Sequence, residues 1–149
     1  MPQCVDDLIY VIRPYWHPSH NRPSQGLGPL EEALGRALPT DLKAFLLWSG
    51  GGQGCFPEGY VQLWEPAAIV PLNQGYQVQR YLGPDVVGFG TDGGPTLLAL
   101  DYRTGLSPTI AAVDLGDLDT SCMKEVAPDF STLLRKYLSG DITNRNLFP

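Results

Sequence analysis

The chain has 149 residues, with ten Lys and Arg against sixteen Asp and Glu, a formal charge of −6, and 43% hydrophobic against 17% charged residues. At this length roughly two thirds of the unfolded surface can be buried, so a single domain over residues 1–149 with a real core is expected and a disordered polyampholyte is excluded. Nucleic acid is a poor ligand for such a chain, because phosphate affinity requires clustered Lys and Arg; no apolar run approaches the ~20 residues that span a bilayer, and Asp6 and Asp7 stand where a secretory leader needs positive charge, so a cytoplasmic location is expected.

Val5, Leu8, Ile9 and Ile12 fit a short N-terminal helix. Residues 15–29 then hold Pro18, Pro23, Gly26, Gly28 and Pro29 and read as a surface loop. Leu30, Ala33, Leu34 and Ala37 recur at i, i+3, i+4 and i+7, the buried stripe of a helix. Pro39 suits a first helical turn and Asp41 favours its positive end, so a second helix starts there. Its apolar face of Leu38, Leu42, Phe45 and Leu46 is widened by Ala44, Leu47 and Trp48, leaving Asp41, Lys43 and Ser49 as its polar surface. Gly50 to Gly52 end it, because glycine takes the positive φ of a helix C-terminus.

Strand chemistry follows. Tyr60 to Trp64 is β-prone, and residues 67–76 suggest a brief helix despite Pro71 and Gly75. Val86 to Phe89, a turn at Thr91 to Gly94, and the apolar run Thr96 to Leu100 predict a hairpin, which Thr109 to Val113 extends into a meander. Leu97 to Leu100 is apolar on both faces, so helices must cover the sheet. Val126, Ala127, Phe130, Leu133, Leu134, Tyr137 and Leu138 keep a helical period that Gly140 ends. Residues 141–149 read as a tail, unless Leu147 and Phe148 dock.

The ordered set of Leu34-Gly35, Leu38-Pro39 with its apolar helix, Ser49 to Gly52, Gly88 to Gly94 and a closing helix around Phe130 resembles the SUKH superfamily over roughly residues 27–138. Ser49 stands where the family often has asparagine, and Asp114-Leu115-Gly116-Asp117 where it often has a Trp or acidic-His pattern. The resemblance implies bacterial immunity proteins against polymorphic toxins, or regulators like the fungal cell-wall-assembly relative. The expected fold class is α+β: a twisted antiparallel sheet of about five to six strands packed with N- and C-terminal helices.

Catalytic chemistry finds little support. Cys4, Cys55 and Cys122 are an odd number without C-x-x-C spacing and read as reduced thiols. His17 and His20 lie in a proline-broken loop without a nearby acidic or cysteine ligand, so no metal is expected there. Cys55 with either histidine is the one route to a cysteine-dependent enzyme, and the surrounding motif is missing. Gly88 to Gly93 spells G-x-G-x-x-G but leads into a strand rather than a phosphate-binding helix, so a hairpin turn is expected and no cofactor. Charge remains. Asp114, Asp117, Asp119, Glu125 and Asp129 face Lys124 alone in one short segment. A non-catalytic domain that binds a basic protein partner is therefore expected; the resemblance implies a bacterial toxin as that partner, and a nuclease is one kind whose basic charge would fit. Asp114, Asp117 and Asp119 are the candidate electrostatic contacts, and Tyr60, Trp64 and Tyr102 the candidate aromatic anchors.

Overall fold

The computed structural model describes residues 5–19 and 26–143. Its helices are α1 (Val5–Ile12), α2 (Gly28–Leu34), α3 (Thr40–Ser49), α4 (Pro66–Tyr76), α5 (Val78–Leu82) and α6 (Phe130–Ser139). Its strands are β1 (Trp16–His17), β2 (Gly52–Cys55), β3 (Tyr60–Leu63), β4 (Val86–Thr91), β5 (Thr96–Asp101), β6 (Thr109–Asp114) and β7 (Lys124–Ala127). All seven strands form one antiparallel sheet whose spatial order is the chain order. The architecture is the expected α+β, with more strands than the five to six anticipated.

The sheet is covered on both sides, as the doubly apolar β5 requires: β4 and β5 are buried at every position. Phe89 turns to Phe130 of α6, while its neighbour Gly88 turns to Asn73 of α4 and Trp64. Phe45 joins the two layers of helix and strand, with Trp16, Trp48 and Phe130 edge-on around it at 4.8 to 5.3 Å. The N-termini of α3 and α6 are tied together by Asp41, whose Oδ2 accepts from Ser131 N and Oγ.

Several local expectations give way to tertiary contacts. Trp16–His17, inside the expected loop, is a strand because Trp16 buries its ring against Phe45 and donates its indole N–H to Gly51 O. Val126 and Ala127 belong to β7 rather than to the last helix, which starts only after Pro128, with Asp129 as its N-cap accepting from Thr132 N. Helix α2 ends at Leu34, leaving Ala33 and Ala37 exposed and Leu30 as its buried residue, with Leu27 buried at its N-cap. In α3 the assignments of Ser49 and Leu47 reverse. Ser49 is fully buried, donating to Phe45 O and accepting from Gly51 N, and Leu47 is exposed. Ile142, past the last helix, is buried, while Leu147, Phe148, Cys4 and His20 lie outside the described residues.

Candidate functional site

One end of the sheet gathers four of the six residues singled out from sequence. Tyr60 opens β3, opposite Cys55, and its ring lies against Gly93 in the β4–β5 turn. That turn is built by Asp92, whose Oδ1 accepts from Gly94 N at 2.8 Å and Thr96 N at 3.2 Å. Thr96 pairs with Asp114 across β5 and β6, and Leu115 N donates to Pro95 O at 2.7 Å, so the loop after β6 is clamped to the turn. Asp114 Oδ1 holds Gly116 N, and Asp119 Oδ1 holds Ser121 N and Oγ. These hydrogen bonds keep the Asp119 carboxyl below its ordinary range. Asp117 and Asp119 are exposed and Asp114 half-buried. The result is an acidic rim with a half-buried tyrosine at its side.

Trp64 and Tyr102 go elsewhere. Trp64 is buried, stacked on Tyr76 of α4 at 6.1 Å. Tyr102 sits at the opposite end of β5, buried, donating its hydroxyl to Ala37 O at 3.0 Å beneath the Arg36 guanidinium. Burial pushes that hydroxyl up to about 12 against the pull of Arg36.

Trp64 has a second role, not anticipated from sequence. Beside the first three strands a cleft of about 500 Å³ opens, lined by residues of β1, β2, β3 and α4. His17, Gln53 and Gln62 lie side by side on β1, β2 and β3, since His17 pairs with Gln53 and Gln53 with Gln62. Glu65, the residue before α4, and Trp64, Ala68 and Leu72 form the wall. Among the described residues the side chains of His17, Gln53, Gln62 and Glu65 have no hydrogen-bond or ion-pair partner, and Glu65 caps no helix N–H. Period-two alternation links this cleft to the acidic rim, because Tyr60, Gln62 and Trp64 follow one another on the same side of the chain.

Of the enzyme candidates, Cys55 and His17 lie within the described residues and His20 lies outside them. Cys55 lines a separate hollow with Phe56, Glu58 and Tyr60, whereas His17 lines the cleft, and no hydrogen bond joins them among the described residues. Among those residues no group of three or more His, Cys, Asp or Glu is arranged to hold a metal ion. No helix among them is long and apolar enough to cross a membrane.

A sheet in chain order, clasped by helices and carrying an acidic rim and a polar cleft, defines a small α+β domain whose sequence-predicted site residues lie largely at one strand end. The chain belongs to the SMI1/KNR4 family (SUKH-1), whose family model matches residues 27–136. No curated protein matches it closely enough to add a more specific relative.

Proposed function

We propose that this protein is an immunity protein, a non-catalytic binding domain that neutralises a basic bacterial toxin. Family membership supports an immunity or regulatory domain. The observation that carries the finer reading is the acidic rim, where Asp114, Asp117 and Asp119 project from a loop anchored through Leu115 to the neighbouring turn. A fixed negative field beside Tyr60 raises the encounter rate of a basic partner and penalises acidic ones. Tyr60 supplies an amphipathic ring at the rim, of the residue type that concentrates interface energy. A role for Trp64 and Tyr102 in contacts requires their faces to be reached through the cleft and through the Arg36 end respectively.

Affinity capture from the native host, with identification of the co-purifying protein, tests the reading: a basic toxin domain is expected. With that partner in hand, replacing Asp114, Asp117 and Asp119 by Asn is expected to slow association and flatten its salt dependence. Unchanged association kinetics would remove the rim from the interface. A second reading, a regulatory scaffold, is favoured by the family's name alone; recovery of signalling or wall-assembly proteins in place of a toxin would establish it.

A further inference from the structure

Around the cleft His17 and Gln53 are exposed and Gln62 and Glu65 half-buried, so their polar atoms can exchange water for a ligand without breaking a hydrogen bond within the described residues. Among the described residues Glu65 is the single carboxylate lining this cleft, Gln53 and Gln62 add two amide oxygens and two amide nitrogens, and His17 adds an imidazole at its edge. Trp64, Ala68 and Leu72 supply an apolar wall, and the Trp64 ring is held in place by Tyr76. A negative group beside amide acceptors and an apolar wall matches a cation that carries several planar donors on an aliphatic stem. Lysine has the stem and the charge but only a compact ammonium; guanidinium spreads five N–H donors in a plane and is the more weakly hydrated of the two. An anionic ligand is opposed by Glu65.

We infer that this cleft is the socket for an arginine side chain of the protein partner, with the guanidinium on Glu65 and the glutamine amides and the stem along Trp64 and Leu72. The inference rests on the reading of a basic protein partner given above. It adds a second contact region, joined to the rim through Tyr60 and Gln62 on β3.

N-acetyl-arginine amide titrated into the ¹⁵N-labelled full chain is the test. Saturable shifts are expected at the Gln53 and Gln62 side-chain amides and the Glu65 backbone, with millimolar affinity. Glu65→Gln, Gln62→Ala, and N-acetyl-citrulline amide as the uncharged isostere should each weaken the response, the charge-removing changes by about two- to fivefold. Absence of saturable shifts at the cleft, equal binding of the citrulline probe, or unchanged affinity in a Glu65→Gln protein whose other resonances overlay the wild type would overturn the inference. If the arginine probe fails while the triple Asp→Asn protein still associates slowly with the captured partner, the socket falls and the rim stands. Binding of the probe with unaltered association of the triple variant keeps the socket and removes the rim.

Discussion

Asn73 and Gly88 are joined by two hydrogen bonds: the carboxamide of Asn73 donates to Gly88 O at 2.9 Å and accepts from Gly88 N at 2.8 Å. Gly88 borders the register shift between β4 and β5, where the ladder is interrupted. Gly88 keeps Ala99 as its partner on β5, and on its other side, where the pairing of β3 with β4 ends at Leu63 and Gly90, a side chain of α4 takes the place of a strand neighbour. The same carboxamide donates to Ile69 O and accepts from Gln79, so one buried residue satisfies polar groups on α4, α5 and β4.

Asn73→Ala should therefore cost about 3 kcal/mol, because it strands several buried donors and acceptors at once. Asn73→Asp should cost more, since it buries a charge and sets a carboxylate oxygen against the carbonyl oxygens of Ile69 and Gly88 where Asn donates. Urea denaturation of both variants checks the order; equal stability of the Ala variant and wild type would show that the bulge needs no such support.

Gly90→Ala should nearly abolish folding. A Cβ there runs into the backbone oxygen of Gln62, and β3 and β4 share only the pairs Gln62 with Thr91 and Leu63 with Gly90. Neither backbone can yield without separating the strands. Gly75→Ala in α4 is the matched contrast: nothing stands within 4 Å of its Cβ, and helix propensity predicts a gain of up to about 1 kcal/mol. Thermal unfolding of the pair should move in opposite directions.

Glu31 accepts from Leu38 N at 2.7 Å and pairs with Lys43 at 3.0 Å. The Leu38 amide first, and then Lys43, hold its carboxyl below the usual 4.5. Its folded pKa is depressed, so its stabilisation is present above pH 4.5 and is lost as pH falls through the lower folded value. Glu31→Gln should destabilise by about 1 kcal/mol at neutral pH and flatten the acid limb of the stability curve. An acid limb identical to wild type would place the coupling elsewhere.

The triple Asp→Asn variant of the rim should keep its fold. Asp114 and Asp119 bind their loops through Oδ1 acceptors, and an asparagine carbonyl accepts in the same way. Its unfolding free energy from urea denaturation should stay within about 0.5 kcal/mol per position of the wild type, because Asp117 and Asp119 are exposed and Asn keeps the acceptor at half-buried Asp114. A larger loss, read by the same denaturation, would show that the loop is held by charge rather than by hydrogen bonds.

Elements whose pattern is dictated locally were legible from sequence. Leu42, Phe45 and Leu46 define α3, and the apolar runs of β4, β5 and β6 flank turns rich in glycine. The missed strands have no such signature. In β2, Gly52-Gln53-Gly54-Cys55 is poor strand material, and it extends because the Trp16 and Phe56 rings occupy the space where a side chain at Gly54 would lie. In β7, Val126 and Ala127 stay in phase with Phe130, so periodicity alone carries the helix too far. The rim was half legible, since three of its aspartates share one segment. The cleft was not, because His17, Gln53, Gln62 and Glu65 are aligned only by pairing across β1, β2 and β3.

The sheet's meander has a kinetic corollary. From β4 onward each strand finds its neighbour across only a short connection, so little loop entropy is spent before pairing is rewarded. During synthesis, hairpins can zip in the sequence in which the ribosome releases them. Phe130 arrives late and closes the aromatic cluster around Phe45, which makes α6 the latch of a sheet already in register.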